Sequence, residues 1–264
     1  MRRGWTAGAA VLLALLAGCA LPDGPRGRSV EAGAAPGSAA SGLPPHLRWG
    51  LSAPFSPPPS PVRHLARPAD GLAPVLDRIP TTHKVVFLTF DDGAEKDPRF
   101  VDMVRELRLP VSMFLTDSVV GPGYGHFARL RSVGASVQNH TLDHAALRGV
   151  PYAGQRAEIC GQQQKLRARF GLRPHLFRPP YGTYDTTTRK AAVDCGIKAI
   201  VLWRATMDAA DLTFTEGPAR LRPGDIVSVP STETPEPKLR ERTTRLLRRV
   251  QEAGLTVGRL EDYL

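Results

Sequence analysis

The stretch Lys84-Val85-Val86-Phe87-Leu88-Thr89-Phe90-Asp91-Asp92-Gly93 (KVVFLTFDDG) decides the fold. Its apolar, β-branched run has the length of a strand buried on both faces, and the carboxylate pair with glycine ends it in a turn. Downstream, Pro98–Leu109 has helical spacing, with Phe100, Val101, Val104 and Leu107 on one side. The pattern then repeats, as strands at Val111–Leu115, Ala135–Val137, His175–Phe177, Ile197–Trp203, Asp225–Val229 and Thr256–Leu260. Helices are predicted between them at Phe127–Val133, Tyr152–Phe170, Thr187–Val193 and Lys238–Ala253. Alternating strands and helices argue for a parallel sheet covered by helices. About seven strands suit either a closed barrel or an open doubly wound sheet, and both place active sites at the carboxyl ends of strands. Neither GxGxxG nor GxxxxGK[ST] follows the first strand, which removes the support for nucleotide binding.

Polar residues collect where these strands end. Asp91 and Asp92 follow the first, and a turn is the plain reading of that pair with Gly93. His140 and His144 follow the third, spaced so that a helical turn would put both imidazoles on one side, able to share a metal ion. Alone, such a histidine pair is usually surface or core. Together with a carboxylate from an earlier strand end it describes a metal site with open positions, suited to zinc or a similar ion. Arg178 closes a further strand, in Arg178-Pro179-Pro180-Tyr181-Gly182.

Thr89-Phe90-Asp91-Asp92-Gly93, His140-Thr141-Leu142-Asp143-His144 and Arg178-Pro179-Pro180-Tyr181-Gly182, in that order, resemble the polysaccharide deacetylase (NodB-homology) family. The resemblance runs from about Thr81 to Leu264. It implies an α/β fold, a distorted and incomplete (β/α) barrel. It also implies Asp92, His140 and His144 as metal ligands, with zinc, cobalt or another first-row ion. Asp91 would be the general base, Arg178 its partner, and the Tyr181 N–H an oxyanion donor. Asp208 and Asp211 match the family's later Asp-x-x-Asp-Trp motif, with Leu212 in place of the Trp. The implied activity is hydrolysis of N-acetyl groups on an amino-sugar polymer such as peptidoglycan.

One motif departs from the family. A histidine that acts there as general acid should end a run such as Gly-x-Ile-x-Leu-x-His, but Gly224–Val229 is followed by Pro230. Proline has no proton to give, and loss of a general acid costs typically about 10²–10⁴ in rate. His126, His175, Ser231 or protonated Asp91 are candidate replacements. The alternative is a metal-binding pseudoenzyme or glycan-binding protein.

The chain is bounded at its start by Arg2, Arg3 and an apolar run ending in Leu16-Ala17-Gly18-Cys19. The run is short for a membrane span and reads as an export signal, residues 1–18. Small residues before a Cys resemble a lipobox, which implies lipidation of Cys19 and anchorage to the outer face of the cell membrane; an ordinary secretory signal is the plainer reading. Of 25 prolines, 13 lie between residues 20 and 80, so residues 19–75 read as a disordered linker and 76–264 as the catalytic domain. Loss of Arg2 and Arg3 lowers the net charge from +10 to +8, with much of the excess on the helix carrying Arg240, Arg242, Arg245, Arg248 and Arg249. No aromatic residues interleave with these charges, so nucleic acid is not expected, and a solvated helix face is the default. A monomer is expected. Cys160 and Cys195 are either a disulfide or two buried thiols, and spacing does not decide between them.

Overall fold

The computed structural model describes residues 42–61, 70–231 and 236–264; the export signal, Cys19 and the linker as far as residue 41 lie outside them. The opening stretch forms β2 (Val85–Asp92), a strand whose first seven residues are all buried. It pairs in parallel with β3 (Val111–Leu115) on one side. On that same side its first half pairs with β10 (Thr256–Gly258), and on the other side it pairs with β9 (Ile226–Val229). From β3 the sheet continues through β4 (Ser136–Asn139), β5 (Leu176–Phe177) and β6 (Ala199–Val201) to β1 (Val75–Leu76). Beyond β9 lie β7 (Ala205–Met207) and β8 (Leu212–Phe214), the one antiparallel pair. The end strands β1 and β8 do not pair with each other, so the barrel is incomplete, as the sequence implies. Ten strands replace the expected seven because β1, β7 and β8 are two or three residues long, too short to show a period.

Strand alternation sends Phe87, Phe114, Leu176, Val201 and Ile226 into the barrel, where Leu260 and Tyr263 join the same cluster from the C-terminal segment. Helices cover the outside. In α2 (Pro98–Leu107), Asp97 caps the first turn by accepting from Arg99 N–H, and Phe100, Val101, Met103 and Val104 face the sheet. α5 (Tyr152–Phe170) and α6 (Thr186–Asp194) pack together on the β5–β6 side, joined by a Cys160–Cys195 disulfide. The short α3 (Asp117–Val120) leads to α4 (Tyr124–Ser132), and α7 (Leu239–Glu252) precedes β10.

Two expectations change. Residues 43–61 fall within the stretch read as linker, yet they lie along the domain, starting with α1 (Pro45–Arg48). Trp49 Nε1 donates to Glu106, Leu51 is buried, and the Ser56 and Pro59 carbonyls accept from Thr256 and Tyr263. Averaged composition hides the few apolar residues among the prolines that hold this segment down. The basic α7 is not a solvated face either. Arg240 pairs with Asp97, Arg249 with Asp211, and Arg248 donates to the Gly50 carbonyl, while Arg242 is buried. Its charges tie neighbouring segments together.

Candidate functional site

At the carboxyl end of β2 two adjacent carboxylates part company. Asp91 keeps the inward phase of Phe87 and Thr89. Arg178 Nη1 donates to its Oδ1 at 2.6 Å and Ser228 Oγ to its Oδ2 at 2.5 Å. Asp92 leaves the strand at φ 66°, and Gly93 follows at φ 87°. A Cβ at Gly93 would stand 2.9 Å from both Phe127 and Val120, so glycine is required there.

His140 and His144 join Asp92 rather than Asp91. Their Nε2 atoms lie 3.1 and 3.0 Å from Asp92 Oδ1, and one ligand atom from each of the three residues falls within 4.8 Å of the others. The helical turn expected from the spacing does not exist. The chain after β4 is a bent loop with Thr141 at φ 71° and His144 at φ 58°. Asn139 Oδ1 accepts from Thr141 N–H, and Glu158 of α5 accepts from the N–H groups of Leu142 and Asp143, which hold the bend. Of the five non-glycine residues at positive φ among the described residues, Asp92, Thr141, His144 and Tyr181 all lie here. Such backbone conformations concentrate where function demands a side chain in one place.

Donor chemistry tests whether this group fits a cation. His140 Nδ1 is 2.7 Å from the Arg178 carbonyl oxygen, which can only accept, so Nδ1 carries the proton and Nε2 presents a lone pair. That lone pair faces Asp92 Oδ1, itself buried and without a hydrogen-bond partner. Two lone pairs at this distance repel unless a positive charge lies between them. Two imidazole nitrogens and one carboxylate oxygen are a ligand set that zinc accepts with positions left open. The electrostatics agree. Burial pushes the Asp92 pKa up, but the two imidazoles outweigh it and hold the carboxyl well below its usual range. Contact with Asp92 raises His144 against the opposing effect of burial.

Arg178 organises the other half of the cleft. It is wholly buried, a condition that lowers its pKa against the pull of Asp91. Besides Asp91 it donates to Thr89 Oγ1 and to the Val201 and Leu202 carbonyls, and its guanidinium stacks over Phe114 and Trp203. Thr89 and Ser228 were not singled out in the sequence. They sit opposite each other in the β2–β9 register, and a polar residue at an inward position of the run Ile226–Val229 is the signal that could have found Ser228. Tyr181 follows at φ 60°, its side chain 66% exposed and its ring edge-on to His144.

Other candidates are placed elsewhere. Asp208 and Asp211 make the β7–β8 turn. Asp208 accepts from the N–H groups of Ala210 and Asp211, and Asp211 pairs with Arg249. Among the described residues neither bonds to Asp91, Asp92, His140, His144 or Arg178. At Pro230 the carbonyl oxygen accepts from Arg242, which leaves no ionisable side chain at that position. His175 is exposed just before β5, at the amino end of that strand and away from the triad. His126 is buried in α4 against Phe127, and burial with nearby Arg129 and Lys96 pushes its pKa down to about 4. Ser231 Oγ accepts from the Glu95 N–H.

A family model described as polysaccharide deacetylase matches residues 78–200. An uncharacterised protein of Streptomyces coelicolor is 58% identical over 249 residues, 90% of this chain and 99% of that one. A chitin deacetylase of Amylomyces rouxii is 33% identical over 134 residues, 48% of this chain and 31% of its own length, so the match spans less than a third of that relative. Among solved structures, a family 4 carbohydrate esterase pseudoenzyme from Bacillus anthracis superposes with TM-score 0.60 at 18% identity, over 73% of this chain and 70% of that one. A mutant of that pseudoenzyme with restored enzymatic activity superposes equally, with TM-score 0.60 at 20% identity, over 73% and 72% of the two chains.

Proposed function

We propose that the chain, whose residues 78–200 match the polysaccharide deacetylase model, acts as a member of that family and hydrolyses N-acetyl groups on an amino-sugar polymer of the cell envelope, with a divalent cation, zinc by preference, held by Asp92, His140 and His144. The observation that carries this reading is the division of labour at the end of β2. One carboxylate converges with two imidazoles, and its neighbour is held by a buried arginine. When bound, such a cation supplies Lewis acidity, lowering the pKa of water and polarising an amide carbonyl. Asp91 takes the proton. Arg178 occupies Oδ1, so the proton arrives at Oδ2, where the Ser228 hydroxyl can rotate from donor to acceptor. The Tyr181 N–H, with no hydrogen-bond partner among the described residues, serves the tetrahedral oxyanion of the acetyl carbon. The departing amine needs a proton, and protonated Asp91 returns it.

The test is acetate release from N-acetylglucosamine oligomers and from peptidoglycan by the metal-loaded protein, beside Asp91→Asn. Release that needs both metal and Asp91 supports the reading; no release from either substrate sinks it. Pro230 favours a second reading, a metal-holding protein that binds glycan without turnover. The Bacillus anthracis pseudoenzyme, with its reactivated mutant, is a relevant parallel. Pro230→His separates the two. Gain of acetate release identifies a missing acid as the deficit, and no gain with retained glycan binding favours the binding protein. We further propose export and lipid anchorage at Cys19, so that Cys19→Ser releases the protein from membranes; persistent membrane association overturns the anchor.

A further inference from the structure

The barrel has a second cavity, at the end opposite the triad. Most of its lining comes from segments that enter strands, the turn before β4, the loop before β5 and the residue before β6, and the C-terminal segment after β10 completes it. It exists because β4 and β5 pair only at Asn139 and Phe177. Before that point the strands separate. Gln138 partly bridges the gap, its Oε1 accepting from Leu176 N–H and its Nε2 donating to Glu261. The space left has a volume of about 580 Å³, within the usual range for small-molecule sites.

Its charge is lopsided. Arg131, Arg173, Lys198 and Arg259 all line it, and none of the four has a carboxylate partner among the described residues. Arg131 and Arg259 spend one donor each on the Phe170 and Gly134 carbonyls, which fixes their position without neutralising them. The carboxylate of Glu261 is engaged at Oε1 by Ser112, Ser136 and Gln138. Counting that carboxylate, the lining is still positive. The rest of the lining combines the polar side chains of Ser136, Gln138 and His175 with apolar ones such as Val137, Leu172 and Leu176, against which the faces of a sugar ring can pack. Gathering four cations round one cavity is unfavourable by itself, and an anion placed among them relieves it.

We propose that this cavity binds an anionic saccharide, the charge being a phosphate or a carboxylate and the hydroxyl groups meeting Ser136, Gln138 and His175. A free ion would fill only a small part of the volume, so the sugar contributes to affinity. The site lies apart from the triad, and its occupation does not depend on hydrolysis there.

The full chain is titrated calorimetrically, at low ionic strength, with N-acetylglucosamine 6-phosphate, glucuronic acid, N-acetylglucosamine and inorganic phosphate. One charged sugar should bind at a single site at least tenfold more tightly than the neutral sugar or phosphate alone, and which one does so identifies the charge. Binding should weaken as salt rises. Arg173→Glu and Lys198→Glu, both at exposed positions, should each weaken it at least tenfold while leaving metal content unchanged. Equal affinity in these variants, equal affinity for phosphate alone, or no saturable binding at millimolar concentration overturns the proposal. Failure of acetate release with intact binding here would count only against the deacetylase reading.

Discussion

Replacing Arg178 by Met tests whether the cleft is built round a buried ion pair. The guanidinium is wholly buried and makes four hydrogen bonds, to Asp91, Thr89 and the Val201 and Leu202 carbonyls. Without it, the Asp91 carboxylate is left in a low-dielectric interior with Ser228 as its only hydrogen-bond partner. Breaking one side of such a pair typically costs about 3–5 kcal/mol. Asp91→Leu should cost less, about 2–3 kcal/mol, because Arg178 keeps three acceptors. In the double variant Asp91→Leu/Arg178→Met no charge is stranded. Thr89 and the two carbonyls lose the Arg178 donors, at roughly 1–3 kcal/mol together. The pair should therefore show a coupling energy of roughly 4–5 kcal/mol, where an exposed pair gives under about 1 kcal/mol. Urea unfolding of the four proteins, with chelator present so that metal binding adds no linkage, measures it through midpoints at constant slope. Activity should be absent from all three variants, including the stable double one. Coupling below about 1 kcal/mol would mean that water reaches the pair, and the argument that the cleft is built round a buried ion pair would fail.

Zinc affinity should fall at least tenfold between pH 8 and pH 6 in competition with a chromogenic chelator, because contact with Asp92 raises the His144 pKa and the metal must displace that proton; a flat profile would remove His144 from the ligand set. Reducing the Cys160–Cys195 bridge, which closes a loop with sequence separation 35, should lower stability by up to about 4 kcal/mol on the chain-entropy argument, read as a drop in urea midpoint with reductant. An unchanged midpoint would show that the bridge adds nothing. The folded pKa of His126 is pushed down to about 4, below its unfolded value, so protons favour the unfolded chain. Its penalty is absent above about pH 6.5, grows as pH falls and levels off below about pH 4, reaching roughly 3 kcal/mol. His126→Gln should flatten that part of the pH–stability curve, and an unaltered curve would place the acid sensitivity elsewhere.

The fold was legible where its physics is periodic. β2, β3, α2 and α5 have apolar positions whose repeat identifies them, and the strand-end position of Asp91, Asp92 and Arg178 follows from the βα order. The rest depends on contacts between residues distant in sequence. Nothing in His140–His144 announces that Asn139 and Glu158 bend the loop through left-handed residues, so a helical turn was the natural expectation and the wrong one. The Asp-x-x-Asp match at Asp208 and Asp211 was likewise silent on the turn that the structure places there. Two carboxylates in a short loop serve equally well to close a hairpin and to hold Arg249. Arg242 read as part of a solvated basic helix because its burial depends on Glu95 and the Pro230 carbonyl, which lie 147 and 12 positions away.

Ser228 and Pro230 lie two residues apart in and just after β9, so strand alternation gives them one direction, the direction that brings Ser228 to Asp91. Loss of an acid at Pro230 and gain of a hydroxyl at Ser228 therefore act on the same proton. With a histidine at the strand end, Asp91 need only take a proton and another group gives one back. With proline there, one carboxylate must do both, which requires that its protonated form survive until the amine departs. A hydroxyl that switches from donor to acceptor at Oδ2 favours that form, whereas an apolar side chain at the same place would not. On this reasoning Ser228→Ala should impair turnover more than binding, lowering kcat with KM nearly unchanged, and Pro230→His should relieve the defect. A Ser228→Ala protein with undiminished kcat would separate the two positions and leave the proton for the amine without a source in this strand.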